Sequence, residues 1–288
     1  MKSPSVEIGV QLTDVFTQSL CSELIVEIVK FIIYQKQLIP FPLDHLKLCI
    51  ARRKSIEDTR IDQTSSRDNQ TGSTYLVEKH LKKTVDSLDL LDSMFKSIIS
   101  EIESCDSNDL KEVLLVLGAT ILSPQNVFRI KIPQIEKLHS DKYHPPRKQL
   151  FNVLRSLVGT SNFADLMCKE ISSKNLFIFL KLNASYCVKS SHLLPKENFS
   201  LPLRAQESII NILTSDGSSA DCCCSGIKIF NDSNVETSPA RAGSDNSATT
   251  LDISNESLTS WYQFKSPFVG FKDEKVNGVS IVNLWMKS

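Results

Sequence analysis

Between Cys21 and Arg53 the chain reads CSELIVEIVKFIIYQKQLIPFPLDHLKLCIARR, and Leu24, Ile25, Ile28, Val29, Ile32 and Ile33 recur there at helical spacing. Six such residues on one stripe need a packed core to cover them. Ser22 can cap the start of this helix. After Ile33 the apolar pattern yields to Tyr34, Gln35, Lys36 and Gln37, and Pro40 and Pro42 then remove two backbone donors and push Ile39 and Phe41 away from helical geometry. The spacing therefore predicts a buried helix ending in a polar, accessible tip. An ordinary core helix with a solvated end would look the same.

Other elements follow the same logic. Val6, Ile8, Val10 and Leu12 alternate with Glu7, Gly9 and Gln11, the period of a half-buried strand. Residues 55–73 are too polar to order themselves and read as a flexible insertion. From Tyr75 to Ser104, Val77, Leu81, Val85, Leu88, Leu91, Phe95, Ile98 and Ile102 step by three or four, which predicts a second helix. Leu110 to Leu117 suits a buried helix or a buried strand. Ser123-Pro124 is expected to open a helix, because Ser caps well and Pro suits the first helical position. Pro145 and Pro146 precede a third helix with Leu150, Phe151, Leu154, Leu157 and Val158 on its apolar face; Gly159 closes its first half and Phe163, Leu166, Met167 and Ile171 continue helically beyond, as one bent helix or two in succession.

Later the period changes. Leu176 to Tyr186 predicts a strand with Phe177, Phe179 and Lys181 on one face and Ile178, Leu180 and Leu182 on the other. Glu207 to Thr214 predicts a further strand, residues 215–257 a disordered loop, and Trp261 to Lys272 and Val279 to Trp285 two last strands. Helices early and strands late, behind a leading strand, predict an α+β layer of helices on a mostly antiparallel sheet within one domain spanning 5–288.

Composition narrows the function. With 33 Lys and Arg against 33 Asp and Glu, the formal charge is zero, so the molecule as a whole exerts no pull on nucleic acid or an anionic membrane. The basic groups Arg52, Arg53, Lys54 and Lys79, Lys82, Lys83 are interleaved with acids and read as solvated faces or a weak nuclear-import signal. The first residues lack the cationic start and apolar run of a signal peptide. The apolar run from Val113 to Leu122 is about half of a membrane span. A nuclear or cytosolic protein with its eight cysteines reduced is expected, and Asn-x-Ser/Thr at Asn69, Asn183, Asn198, Asn231 and Asn255 are then chance matches.

No P-loop, GxGxxG, HExxH or GxSxG motif occurs, which argues against the common enzyme classes. Cys222, Cys223 and Cys224 lack the second pair that a tetrahedral zinc site needs, so no metal and no cofactor is expected. His139 and His144, flanking Tyr143, lack a third ligand and are assigned to the surface. Ser238-Pro239 is a common proline-directed phosphorylation motif.

Three patches carry a resemblance: EIVKFIIYQKQLIPFPLDHLK from Glu27 to Lys47, VLLVLGATILSPQNVFRIKI from Val113 to Ile132, and WYQFKSPFVGFK from Trp261 to Lys272. In order and spacing, over roughly 5 to 272, the chain resembles the comet family of Mad-two-binding proteins. That resemblance implies a HORMA-like fold, three helices packed on the sheet with a C-terminal seat-belt-type segment. It implies a non-enzymatic adaptor that binds the closed conformer of Mad-two, presents it to the Pch-two type AAA+ ATPase and so silences the spindle assembly checkpoint. It places the family's contact glutamine on Gln35 and its aromatic anchor on Leu154, a departure that loses ring area. The implied Mad-two face comprises Gln35, Lys36, Phe151, Leu154, Arg155 and Val158, and the implied ATPase-facing pair is Pro195 and Lys196. GVSIVNLW near the end lies outside the resemblance. No nucleic-acid or membrane partner is implied, and location in nucleus and cytoplasm, at the spindle in mitosis, is expected. The competing expectation is another HORMA-type scaffold that captures peptide motifs in meiotic or repair complexes; a small-molecule enzyme stands further off.

Overall fold

A computed structural model describes residues 5–61, 72–106, 108–136, 144–188, 191–202, 205–214 and 259–287. Strand β1 (Val6–Gln11) is followed by helices α1 (Gln18–Gln35), α2 (Leu43–Ile61) and α3 (Gly72–Ser104), then strands β2 (Leu110–Gly118) and β3 (Pro124–Lys131). Helices α4 (Pro146–Gly159) and α5 (Ser161–Cys168) precede β4 (Asn175–Asn183), β5 (Leu193–Lys196), β6 (Glu207–Leu213), β7 (Thr259–Phe264) and β8 (Phe268–Val269). A hairpin of β9 (Lys275–Val276) and β10 (Val279–Ser280) leads into α6 (Ile281–Lys287).

The main sheet runs β1-β6-β3-β2-β4-β7-β5, with β8 also paired to β4. Its pairings are antiparallel except at β1–β6 and β3–β6, so the α+β, mostly antiparallel expectation holds. The central strands β2, β3 and β4 are apolar on both faces. Val113, Leu115, Leu117, Ile178, Leu180 and Leu182 meet the helices, while Leu114, Val116, Val127 and Phe179 form a second cluster on the far side with Phe199 and Trp261. Covered on both sides, such strands lose strict polar alternation and read as continuous apolar runs.

Several expectations are corrected here. The cap of α1 is Thr17, whose side chain accepts from the Leu20 amide; Ser22 lies one turn in, fully buried. Within the stretch read as an insertion, α2 continues to Ile61 and α3 begins at Gly72, leaving residues 62–71 outside the described set. Helix α2 was not anticipated; Leu46 and Cys49 bury one side of it, and α6 packs against it. The helical layer thus holds α2 besides the expected three. Ser123-Pro124 opens a strand, because β2 turns back on itself through a hairpin so tight that a Cβ on Gly118 would meet the Ser123 carbonyl at 2.5 Å. At the end of the chain only Val279 and Ser280 are strand. Asn277 and Gly278, both at positive φ, form the two-residue turn that β9–β10 requires, and Ser280 Oγ then accepts from the Asn283 amide and starts α6. His144 is not at the surface: it is 5% exposed, with Nδ1 2.7 Å from Asp14 Oδ1. His139, Tyr143, Cys222, Cys223, Cys224, Ser238 and the 215–257 loop lie outside the described residues, as do Asn69, Asn231 and Asn255.

The five described cysteines are free thiols. Among the described residues no helix is long and apolar enough to cross a membrane, and no cluster of three or more His, Cys, Asp or Glu could hold a metal.

Candidate partner-binding face

Helix α4 carries two apolar stripes. Leu150, Val153 and Leu157 are buried, packing inward, where α4 meets α1 and β1. Phe151 is 66% and Val158 54% exposed, Arg155 is exposed between them, and Leu154 is half-buried on the boundary. At 100° per residue the apolar arc from Val153 round to Phe151 spans about 160°, more than one packing contact covers. That width is the sequence signal that could have separated an outer stripe from the inner one.

Polar pins hold this helix in place. At its start Gln149 Nε2 donates to Thr13 Oγ1 at 2.9 Å, beside the His144–Asp14 pair. Past Thr160, Phe163 of α5 stacks on Phe31 of α1 with ring centroids 6.0 Å apart. At the far end Lys36 Nζ donates to the carbonyls of Leu166 and, at 2.9 Å, Lys169. A cation is favoured at the carbonyl end of a helix, and here the Leu166 carbonyl also accepts from the Lys169 amide at 3.3 Å. Burial, with the Lys169 charge, lowers the Lys36 pKa to about 8. Lys36 is only 3% exposed, so its assignment to the contact face is corrected: its ammonium is engaged inside the molecule, fastening α1 to α5.

Gln35, next to it, is exposed, and so is Tyr34 at 38%. Their presentation depends on how α1 ends. Gln37 adopts φ 54, the Gln37 amide donates to the Tyr34 carbonyl at 2.9 Å, and the Leu38 amide donates to the Ile33 carbonyl at 2.8 Å. These paired bonds close the helix with a non-glycine residue in the left-handed region. The Leu38 carbonyl then accepts from the Phe271 amide at 2.8 Å, tying the C-terminal segment to this turn. A cleft beside it is lined by Tyr34, Gln35, Gln37, Lys174, Phe271 and Lys272. Gln35 and the α4 stripe therefore belong to one helical layer, α4 leading into α5 and α5 ending against the tip of α1.

Pro195 and Lys196 lie elsewhere. They form the end of β5, which among the described residues is an edge strand paired with β7, where Lys196 stands opposite Trp261. Pro195 is exposed and Lys196 half-buried. Just beyond, Phe199 stacks on Phe179 at 4.4 Å and meets Trp261 edge-on at 5.6 Å, fixing the chain where it leaves the strand. Nearby, Glu112 bonds Lys181 at 2.9 Å and Arg129, which also bonds Glu207. Burial opposes the Glu112 charge, yet its two cationic partners hold its pKa below the ordinary value. Because α4 packs against β1 at one edge and β5 is the other, six strand spacings of about 4.8 Å put the two surfaces roughly 30 Å apart.

This geometry has the features of a docking scaffold: an apolar stripe with a flanking guanidinium and amide on one side, and a rigid edge strand on the other. No curated protein matches the chain. A family model described as "p31comet: Mad1 and Cdc20-bound-Mad2 binding" matches residues 5–230, which include the first two of the three patches quoted above but not Trp261 to Lys272. The match spans well over half the sequence, and the chain accordingly belongs to the p31comet family, a family of Mad2-binding adaptors of the spindle checkpoint.

Proposed function

We propose that the chain recognises the closed conformer of Mad2 with the outer stripe of α4 and the tip of α1, and presents it to the Pch-two type AAA+ ATPase through Pro195 and Lys196. In this reading it is a HORMA-like adaptor that silences the checkpoint without doing chemistry, in nucleus and cytoplasm and at the mitotic spindle. The carrying observation is the exposure of Phe151 and Val158 on a helix whose other face is fully packed. Apolar side chains left uncovered in a row, rimmed by Arg155 and Gln35, suit the centre of an interface in which a few anchors supply most of the energy. Selectivity for one conformer requires contacts that the other cannot make, since equal affinity would shift nothing. The separation of β5 from α4 supports simultaneous use of both surfaces, and such tethering raises the effective concentration of substrate at the ATPase.

The C-terminal segment supports a seat-belt-type arrangement in that β7, β8 and α6 run from the sheet to the tip of α1 and on to α2. Co-purification of the double variant Gln35→Ala, Leu154→Ala with Mad2 carrying a Cdc20 peptide tests the face. Loss of binding with an unchanged circular dichroism spectrum is expected, and wild-type binding refutes the face. Lys196→Glu should retain Mad2 binding and lose ATPase-driven reopening; full reopening removes that site.

A further inference from the structure

Charge is balanced over the chain but not around the tip of α1. Four lysines from four places in the sequence converge there. Lys36 follows the last turn of α1, Lys169 follows α5, Lys174 precedes β4 and Lys272 follows β8. Lys174 donates to the Gln37 carbonyl and, with Lys272, lines the cleft of about 520 Å³ that Gln35 and Tyr34 also border. The charges crowd in pairs: Lys169 bears on Lys36, and Lys272 bears on Lys174, each lowering the affinity of its neighbour for a proton after burial has done the same.

The local acids compensate only in part. Glu170 acts on Lys174, but Asp273, which lines the same cleft, is turned inward, its Oδ1 3.6 Å from His80 Nε2 and 3.4 Å from the Val282 amide. Glu274 faces the other imidazole nitrogen at 3.9 Å. Lys169 and Lys272 are exposed and Lys174 half-buried, so the excess charge points outward.

We propose that this cleft and its lysine rim form an electrostatic docking surface for carboxylate side chains on the folded partner, continuous with the α4 stripe through the Lys36 link between α1 and α5. The inference rests on the reading of α4 and Gln35 as the Mad2-binding face and adds the kind of group that face selects. A carboxylate entering the cleft relieves the like-charge contact between Lys174 and Lys272, which line it, and is partly shielded from water, where a charged hydrogen bond is stronger than in bulk solvent. A carboxylate fits better than a polyanion: the chain has no net charge to attract one over distance, and the adjoining apolar stripe needs a folded surface opposite it. Rim lysines of this kind act mainly on the rate of encounter, and screening by salt removes their effect beyond about 8–10 Å.

The test is association of the full chain with Mad2 carrying a Cdc20 peptide, followed at about 50 mM and about 300 mM salt. The pair of exposed changes Lys169→Glu, Lys272→Glu is expected to slow association about tenfold at low salt, to converge on wild type at high salt and to leave dissociation unchanged. The pair Lys169→Arg, Lys272→Arg should behave as wild type. Phe151→Ala, in contrast, should speed dissociation and keep the salt dependence. If Phe151→Ala weakens binding while the glutamate pair matches wild type at both salts, this inference is overturned and the docking face stands. If neither variant weakens binding, the face itself falls. Binding of a single-stranded oligonucleotide as tight as that of Mad2 would also overturn it, in favour of a polyanion.

Discussion

Phe151→Ala separates binding from folding more cleanly than any other change on α4. Full burial of a phenylalanine side chain stabilises by about 1.5–3 kcal/mol, and Phe151 stands 66% exposed, so about 1–2 kcal/mol remains to be gained when a partner covers it. Truncation should therefore weaken Mad2 binding about 5- to 30-fold. The folded chain forfeits only the buried third of the ring, about 0.5–1 kcal/mol, or a few degrees in melting temperature. Val153, 0% exposed at the opposite end of the apolar arc, is the mirror case: Val153→Ala should lower stability by about 1–3 kcal/mol through the cavity it leaves, while binding measured on the folded fraction stays near wild type. Leu154, half-buried, should show both effects. Calorimetric titration with peptide-loaded Mad2, alongside thermal unfolding of each variant, gives both quantities. A Phe151→Ala protein with a dissociation constant within about twofold of wild type would show that the outer stripe is not the interface, since no packed aromatic can be removed at so little loss.

Further outcomes concern the ends of the site. Gln37→Gly should raise the urea midpoint, a gain of about 0.5–1 kcal/mol, because glycine accepts φ 54 without strain; a lowered midpoint would mean that the glutamine side chain matters more than its backbone. Lys36 releases its proton near pH 8 when folded against an ordinary 10.5, so between those values the unfolded chain binds the extra proton and stability rises with pH. Lys36→Met should abolish that rise, and a persistent slope in denaturation curves would assign it to another group. His80 is buried with neither ring nitrogen hydrogen-bonded among the described residues. Burial lowers its pKa, as the nearby Lys83 does, against the opposing pull of Glu274 and Asp273. Stability should thus fall as pH drops below about 6.5, where the unfolded imidazole takes up its proton first, and His80→Phe should flatten that acid limb. An unaltered acid limb in that variant would show that the junction with Phe271 and Trp285 tolerates the charged ring.

The long helices and central strands were legible in order and type because their apolar spacing is a local property. The two faces of β4, Phe177 and Phe179 against Ile178, Leu180 and Leu182, came out as read. Failures cluster where a local signal served two purposes. Ser123-Pro124 has the chemistry of a helix start, but Gly118 lets β2 and β3 close on one another there, and the pairing of the strands outweighs the capping preference. Val279 to Trp285 alternates like a strand, yet the Asn277-Gly278 turn limits β10 to two residues and Ile281, Val282 and Trp285 turn to one side as a helix. His144, judged a surface residue for want of metal partners, found its partner in Asp14, 130 positions away.

By itself the amino-acid order determined that α1 would be buried and would end at Gln35, since its apolar stripe and the prolines beyond it act over a few residues. It determined equally that α4 would have an apolar arc. Only the tertiary structure decided which part of that arc stays outside: α1 and β1 cover the side with Val153 and Leu157 and leave Phe151 and Val158 to solvent. It decided in the same way that of two adjacent polar residues at the helix tip, Gln35 faces outward while Lys36 turns in to the carbonyls of α5. Burial depends on what another part of the chain brings within reach, and neither spacing nor composition encodes that contact in the residue that makes it.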